Sequence, residues 1–215
     1  MSRKTRTLKP RFRVFCEGDT EYHYYEYIRK NKLVTLNVTP VNMFGGGYSN
    51  FLKKVKEDSD VACLAKFIVI DGDKATDYEE RKKLVDLIKY CIRENKSRRT
   101  PHILIINSPD FEYVACLHCE DYKGGEVDKF IRKNLKYRSI EDFKADTDIY
   151  NKLNSGKNSY KNEKIIKAKR NAVVENVFTI YKSTYEIFVE LSFIADNIGK
   201  KGSNMKDFFD VVKIW

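Results

Sequence analysis

The chain has 215 residues and 42% of them are hydrophobic, which is enough for one large domain with its own core. No apolar run approaches the roughly 20 residues of a membrane span, and the basic start of the chain lacks the apolar stretch of a secretory signal, so neither is expected. The 41 Lys and Arg residues exceed the 31 Asp and Glu residues and give a formal charge of +10, which favours nucleic acid as a partner ahead of an anionic membrane surface.

The first predicted elements are a strand and a helix. Residues 1–10 are interpreted as a loose basic arm. Polar and apolar residues then alternate over Arg11–Cys16, which predicts a strand, and a tyrosine-rich helix is predicted from Glu21 to about residue 31. Glu17 therefore lies where a strand gives way to a helix.

A glycine triplet follows the next predicted strand. The strand covers residues 36–44, and Gly45-Gly46-Gly47 precedes a short helix. Such glycines could cradle a phosphate group with their N–H groups. The spacing matches neither a Walker motif nor a dinucleotide-binding motif, so a flexible loop bordering the functional site is favoured.

The central strand ends in two carboxylates. Phe67–Ile70 is an apolar run typical of a strand buried on both faces, and it leads directly into Asp71-Gly72-Asp73. Residues two apart in an extended segment point the same way, and paired carboxylates repel unless a cation or protons lie between them. Because Mg²⁺ prefers oxygen ligands, Asp71 and Asp73 are a candidate metal site. The alternative is a simple Asp-Gly turn that leads to a helix.

An amphipathic helix and another buried strand come next. The segment 77–80 has the pattern of a capping box, and residues 102–106 are an apolar run. The alternation of strands and helices predicts an α/β fold with a central, mostly parallel sheet flanked by helices. Sites in such sheets lie at the carboxyl edge, so Glu17 and Asp71 are expected at the same edge.

A further helix is predicted to open within Asn107–Glu112, with Ser108 as its N-cap and Pro109 in its first position. His118 shares an apolar face of this helix. A histidine in that position is more often a packed core residue than a metal ligand.

Cysteine usage indicates a reducing compartment. The chain has 5 cysteines, an odd and scattered set that suggests no disulfide framework and is typical of a cytoplasmic protein. Cys116 and Cys119 form a lone C-x-x-C without a second pair, so a zinc site is not expected.

The last third of the chain is predicted to be helical. Residues 122–159 are rich in Lys, Asp and Asn and form a helical or loop-rich insertion with too few apolar residues for its own core. Residues 160–178 are predicted to be a helix with a basic strip that could follow a phosphate backbone, the alternative being a solvated surface. The strip consists of Lys161, Lys164, Lys167 and Arg170. A capping-box pattern at 183–186 predicts an apolar helix through Ile194, within a helical C-terminal part, 160–215.

Three segments together resemble the RloB-like proteins. Val14–Glu21 resembles their opening V-C-E-G-x-T-E, and Phe67–Asp73 resembles their strand ending in Asp-x-Asp. Asn107–Glu112, followed by Leu117 and His118, resembles their S-N-P-x-F-E…L-H segment, with Asn-Ser here in place of Ser-Asn. The three segments have the order and spacing of the family and extend over most of the chain.

RloB-like proteins are similar to the Toprim group, the metal-binding module of topoisomerases, primases and several defence nucleases. The resemblance implies a Toprim-like fold for residues 1–215 as a single domain, and a role in antiphage defence. Glu17 matches the Toprim glutamate, and Asp71 and Asp73 match its Asp-x-Asp. The family also suggests roles for Glu112 and His118.

These observations lead to the hypothesis of a divalent-metal-dependent endonuclease. Glu17, Asp71 and Asp73 would hold Mg²⁺ or Mn²⁺, which would neutralise the phosphate and activate a water molecule. Glu17 could alternatively act as a general acid or base. Glu112 would be a further ligand or would orient one, and His118 would hydrogen-bond a carboxylate. Lys74 and the basic strip would hold the nucleic-acid backbone. RNA, including tRNA, is the first expected substrate, and DNA the second.

Two other classes of function stay open. One is a nucleic-acid-binding regulator without catalytic activity. The other is a protein-binding subunit of a defence complex, built on the predicted C-terminal apolar helix, with other defence proteins or a second copy of the chain as partners.

Overall fold

The computed structural model describes residues 11–31, 37–59, 62–97 and 99–213, so the predicted basic arm, residues 1–10, lies outside the described residues. The strands are β1 Arg11–Cys16, β2 Asn37–Asn42, β3 Ala65–Asp71, β4 His102–Ser108, β5 Val174–Tyr181, β6 Glu186–Phe193 and β7 Gly202–Ser203. The helices are α1 Asp19–Lys30, α2 Gly47–Glu57, α3 Tyr78–Lys96, α4 Phe111–His118, α5 Val127–Asn134, α6 Ile140–Ala145, α7 Ile149–Leu153, α8 Glu163–Ala168 and α9 Lys206–Lys213.

The central sheet has five strands in the order β2-β1-β3-β4-β7. The first four are parallel, and β7 is antiparallel to β4. The predicted α/β class, with a mostly parallel sheet flanked by helices, is therefore confirmed. Parallel strands are covered on both faces, and this explains why β3 and β4 are continuous apolar runs.

The alternation of side chains along β3 divides the core between the two faces of the sheet. Phe67 and Val69 belong to the hydrophobic cluster that contains Tyr24 of α1, whereas Ile68 and Ile70 belong to the cluster on the other face. The second cluster is completed by apolar residues of α2 and α3, including Phe51, Val55, Leu84 and Leu87. The apolar residues that recur along one face of α3 therefore pack against the side chains on one face of β3, as the periodicity of the helix predicts.

The cap of α3 is confirmed, whereas the predicted start of α4 is wrong. The Asp77 carboxylate accepts hydrogen bonds from the N–H groups of Glu79 and Glu80 at 2.9 and 3.0 Å. Ser108 is still part of β4, and the N-cap of α4 is Asp110, whose carboxylate accepts the N–H of Tyr113 at 2.9 Å. Asp110 lies beyond the end of β4, and its side-chain oxygen satisfies one of the N–H groups that the first turn of a helix leaves free.

The insertion 122–159 is helical, as predicted, and it shares the core of the sheet. Its helices α5, α6 and α7 place Phe130, Ile131, Phe143, Ile149, Tyr150 and Leu153 in the hydrophobic cluster that also contains α1. The Tyr150 hydroxyl donates a hydrogen bond to the Thr20 carbonyl at 2.7 Å. This bond joins the insertion to the first turn of α1.

The predicted helices over 160–178 and 183–194 are wrong. Only α8 and a short 3-10 turn, Lys169–Asn171, form in the first segment, and β5 pairs antiparallel with β6 in the rest. Ile187, Val189 and Leu191 are buried, whereas Glu186, Glu190 and Ser192, whose side chains point to the other face, are exposed. This period of two is the signature of a strand with one covered face, and pairing with β5 outweighs the local capping-box pattern.

Two further observations concern membrane-spanning helices and the state of the cysteines. Within the described residues, no helix combines the length and the apolarity that crossing a bilayer requires. All five cysteines are free thiols and are buried.

Candidate active site at the carboxyl edge of the sheet

The ends of β1 and β3 lie side by side, which brings Glu17 to Asp71. The two strands pair in parallel, with Cys16 opposite Val69, so the residue that follows β1 and the last residue of β3 reach the same edge. Glu17 Oε2 accepts a hydrogen bond from the backbone N–H of Asp71 at 3.0 Å. The predicted convergence of these two distant acids is therefore observed.

An open cavity of about 540 Å³ lies at this edge. Seven carboxylate side chains and two lysines line it: Glu17, Asp19, Glu21, Asp71, Asp73, Glu112, Glu141, Lys74 and Lys144. The predicted acids Glu17, Asp71, Asp73 and Glu112 are all among them. A cleft with this many carboxylates repels anions unless a cation or protons neutralise it.

The carboxylate of Asp71 is buried among other acids and only partly hydrogen-bonded. Burial raises its pKa well above the ordinary value, and the charges of Glu21, Glu17 and Glu112 raise it further. Its Oδ1 atom is buried and accepts no hydrogen bond from any described residue. An orphaned acceptor of this kind is costly to bury, and a bound cation or a proton would satisfy it.

Glu21 is a site residue that the sequence reasoning missed. It lies in the first turn of α1, is only 4% exposed, and its Oε2 accepts the Gly18 N–H at 3.2 Å. Burial, followed by the charges of Glu112 and Glu17, raises its pKa to about 7. The available signal was the second glutamate of the segment Glu17–Glu21, which also fits an ordinary acidic first turn of a helix.

Asp73 and the two lysines complete the charge pattern. Asp73 is exposed at the start of a 3-10 turn, and its Oδ1 accepts the Lys74 N–H at 2.7 Å. The Lys74 ammonium lies 3.6 Å from Glu17 Oε1, and the Lys144 ammonium lies 3.3 Å from Glu112 Oε2. Both lysines therefore partly neutralise the acids when no other cation is bound.

Gly72 lies between the aspartates where close packing leaves little room for a side chain. Its φ of −98° is open to any residue. A Cβ atom at this position would lie 3.2 Å from Ser108 Cβ and 3.3 Å from the Asn107 carbonyl oxygen. The Gly72 N–H donates to that carbonyl at 2.7 Å, so the turn after β3 is held directly against β4.

The glycine triplet borders the site, as predicted. The Gly45 N–H donates to the backbone carbonyl of Glu17 at 2.7 Å. The Tyr48 hydroxyl, in the first turn of α2, donates to the Asp71 carbonyl at 2.8 Å. The loop and the start of α2 therefore fix the backbones of the two converging acids.

The oxygen donors of this cavity suit Mg²⁺ or Mn²⁺, but their side chains do not yet surround a common point. Hard divalent cations prefer carboxylate oxygens, which Glu17, Asp71 and Asp73 supply, and Asp71 Oδ1 is an acceptor without a partner. Among the residues that the structure describes, no three His, Cys, Asp or Glu side chains are already positioned as a metal-binding group. Side-chain rotation in the open cavity would be needed.

The predicted hydrogen bond from His118 to a carboxylate is wrong. His118 is fully buried, and its Nδ1–H donates to the Val114 carbonyl at 2.9 Å. Its Nε2 then accepts from the Tyr24 hydroxyl at 2.7 Å. Burial lowers the pKa of His118 to about 4, so the ring is neutral. The interpretation as a packed core residue is confirmed.

We expect His118→Ala to lower the free energy of unfolding by about 2–4 kcal/mol, because it opens a cavity and leaves the buried Tyr24 hydroxyl without its partner. Tyr24→Phe removes the same hydrogen bond with little change in volume and should cost about 1 kcal/mol. Urea unfolding measures both values. A Tyr24→Phe protein as stable as the wild type would contradict this assignment.

The predicted basic strip does not form on one helix. Lys161 precedes α8, and Arg170 lies in the 3-10 turn that follows it. The Lys164 ammonium donates to the carbonyls of Cys119 and Glu120 at 2.7 and 2.6 Å, and Lys167 pairs with Glu163 at 3.1 Å. Of the five predicted nucleic-acid-binding residues, only Lys74 lines the acidic cavity.

No protein-family model matches the chain, and neither the curated proteins nor the solved structures contain a significant match to it. The similarity to RloB-like proteins therefore rests on the three sequence segments alone.

Proposed function

We propose that this protein is a divalent-metal-dependent endonuclease of the RloB-like family, with a Toprim-like fold and a role in antiphage defence. The observation that carries the proposal is the buried, unpartnered Oδ1 of Asp71 beside the carboxylates of Glu17 and Glu21. A protein gains nothing in stability from such a cluster, whereas a metal-dependent hydrolase requires one.

Glu17, Asp71 and Asp73 would hold the Mg²⁺ or Mn²⁺ ion. When bound, the ion supplies charge neutralisation at the phosphoryl oxygen and makes a coordinated water more acidic. Glu17 Oε2 is already oriented by the Asp71 N–H at 3.0 Å, and Oε1 faces the Lys74 ammonium at 3.6 Å, a position that the metal ion would take over. Glu112 lines the same cavity and would supply a further oxygen ligand.

Glu21 is the best candidate for proton transfer. Its pKa of about 7 lets it hold or release a proton at its carboxylate oxygen near neutral pH. Glu17 is the alternative base. Lys74 and Lys144 would exchange their carboxylate partners for the phosphodiester once the acids are neutralised, and would position the backbone.

The charge of the whole chain agrees with a polyanionic substrate, since the formal net charge is +10 despite the acidic cavity. RNA such as tRNA is favoured over DNA because of the resemblance to Toprim defence effectors. The same proposal includes a cytoplasmic location, and other defence-system proteins or a second copy of the chain as further partners.

The direct test is incubation of the purified protein with tRNA and with plasmid DNA, in Mg²⁺, in Mn²⁺ and in EDTA. Cleavage is expected with a divalent ion and none with EDTA, because the carboxylate cluster cannot neutralise a phosphate on its own. Gel analysis of the products separates endonuclease from exonuclease action. Cleavage that continues undiminished in EDTA would contradict the proposal.

A nucleic-acid-binding regulator without catalysis is the second candidate. The observation that favours it is the pairing of Lys74 with Glu17 and of Lys144 with Glu112, which already offsets part of the acidic charge. Binding with a steep salt dependence and no cleavage in any metal would support it. The third hypothesis, a protein-binding subunit, loses its basis because the predicted apolar helix after Ser183 forms β6.

A further inference from the structure

Two aromatic side chains project into solvent at the edge of the sheet that carries the acids. Phe44 is 81% exposed and Tyr78 is 67% exposed, the highest values among the large hydrophobic residues of the described chain. Phe44 lies between β2 and α2, and Tyr78 is the first residue of α3. Both segments follow the carboxyl ends of parallel strands, as Glu17 and Asp71 do.

The backbone around Phe44 is tied directly to the acidic site. The Met43 N–H donates to the Cys16 carbonyl at 2.9 Å, and the Gly45 N–H donates to the Glu17 carbonyl at 2.7 Å. The Phe44 N–H itself donates to the Asn42 side chain at 2.8 Å. Because both neighbours are held, the backbone of Phe44 is fixed beside that of Glu17, and its ring extends from there into solvent.

The backbone conformation of Phe44 is strained, and no burial of its ring offsets that strain. Its φ is +55°, a left-handed conformation that a bulky residue rarely adopts. Its ring also forgoes the burial that stabilises most phenylalanines. Strained backbones that persist in spite of such costs cluster at functional sites.

Tyr78 lies beside the same face with a cation over its ring. The Lys82 ammonium is 4.2 Å from the ring centroid. The first turns of α2 and α3 are neighbours, since a Cβ atom on Gly47 would lie 3.7 Å from Glu80 Oε2. Phe44 precedes one of these turns and Tyr78 opens the other, so both residues lie on the α2 and α3 side of the edge that carries the acids, next to the lining of the acidic cavity rather than in it. The Asn42 side chain, which accepts the Phe44 N–H, also donates a hydrogen bond to Asp19 of that lining.

We propose that Phe44 and Tyr78 stack on unpaired nucleobases next to the scissile phosphodiester, so that the substrate is a single-stranded or looped-out segment of nucleic acid. This inference rests on the proposed nuclease function. Every nucleobase offers a flat π-face, which makes such stacking tolerant of sequence. Bases within a duplex are covered by their neighbours and have no face to offer. The ammonium of Lys82 beside Tyr78 lies 3.0 Å from Glu79 Oε1, and it would exchange that carboxylate for the adjoining phosphate.

The test uses Phe44→Leu and Tyr78→Leu, which keep an apolar side chain and remove the flat ring. Tyr181→Leu is the matched control, because Tyr181 is 50% exposed at the end of β5, where it pairs with Glu186 in the β5–β6 hairpin. The probes are a fluorescent single-stranded RNA of about 12 nucleotides, the same strand with abasic positions, and its duplex. Binding is measured in EDTA and cleavage in Mn²⁺.

Each of the two Leu variants is expected to bind the base-containing strand about tenfold more weakly than the wild type. Neither variant should differ from the wild type on the abasic strand, and Tyr181→Leu should not differ on any probe. Phe44→Trp, which keeps a flat ring, should bind as the wild type does. Thermal unfolding of each variant checks that the fold is intact, and Phe44→Trp and Tyr78→Leu keep the test decisive if Phe44→Leu does not fold.

Several outcomes would overturn the inference. Equal losses on the intact and abasic strands, or no loss at all, would exclude stacking. A duplex that is bound and cut as well as the single strand would exclude the preference for unpaired bases. If the wild type cleaves nothing while the base-dependent loss of binding is present, the stacking surface stands and the nuclease function fails. A wild type that cuts tRNA or plasmid DNA but does not bind the base-containing single strand more tightly than the abasic strand would overturn the stacking inference and leave the nuclease function standing.

Discussion

Replacing Asp71 by Asn is expected to lower the rate of phosphodiester cleavage by about 10³-fold or more, a loss of roughly 4 kcal/mol of transition-state stabilisation. Asp71 is the acid whose charge is coupled to Glu21, Glu17 and Glu112, and its Oδ1 is the buried oxygen without a partner. An amide keeps the shape and removes the negative charge that would hold the cation.

The same substitution is expected to stabilise the metal-free protein by about 1 kcal/mol or more near pH 8. Burial and the neighbouring carboxylates raise the pKa of Asp71, so its ionised form is costly in the folded state. Asn carries no charge and offers an N–H donor to the surrounding acids. Cleavage rates in Mn²⁺ and urea unfolding in EDTA measure the two effects on one preparation.

Asp86→Asn is a suitable control, because Asp86 is exposed on α3 and does not line the acidic cavity. It should change neither the cleavage rate nor the unfolding free energy by a measurable amount. If Asp71→Asn lowers the cleavage rate and raises the free energy of unfolding, the Asp71 carboxylate serves function at the expense of stability. Undiminished cleavage by Asp71→Asn, or a loss of stability in EDTA, would contradict the role given to this residue.

The second large effect is a pH-dependent stability that originates at Glu21. Its pKa in the folded protein is about 7, against an ordinary value of 4.5. As the pH rises through this window, the unfolded chain loses the proton first and the folded protein retains it. The free energy of unfolding therefore falls between about pH 4.5 and pH 7, by roughly 3 kcal/mol, and levels off above the folded pKa.

Glu21→Gln should remove the part of this fall that originates at Glu21, because the amide has no proton to lose. The difference in unfolding free energy between Glu21→Gln and the wild type is expected to grow from near zero at about pH 4.5 to roughly 3 kcal/mol at about pH 8. Urea unfolding in EDTA across this range measures it. Because Glu21 raises the pKa of Asp71 through their charges, part of the fall belongs to the pair.

Glu163→Gln provides the matched control, since the side chain of Glu163 is 79% exposed and pairs only at the surface with Lys167. Its stability curve should run parallel to that of the wild type. Mn²⁺ should stabilise the wild type more at about pH 8 than at about pH 5.5, since binding must displace protons from the cluster at the lower pH. A Glu21→Gln curve parallel to the wild type would disprove the assignment of this pKa.

The sequence by itself determined the four parallel strands of the central sheet and the meeting of two acids at its edge, but not the antiparallel strand β7. The run Phe67–Ile70 is apolar at every position because both faces of β3 are covered, and this pattern is visible without coordinates. Parallel strands end at one edge, so the meeting of Glu17 and Asp71 followed from their positions after β1 and at the end of β3.

Only the tertiary structure decided the role of Glu21, the position of His118 and the fold of residues 174–193. The raised pKa of Glu21 comes from burial and from Glu112, which belongs to a distant helix. The His118 ring is held by Tyr24 of α1, and β6 is a strand because β5 is there to pair with it. Local patterns reveal which side chains avoid water, whereas the partners of a buried polar group, and the pairing of an edge strand, depend on contacts between segments far apart in the chain.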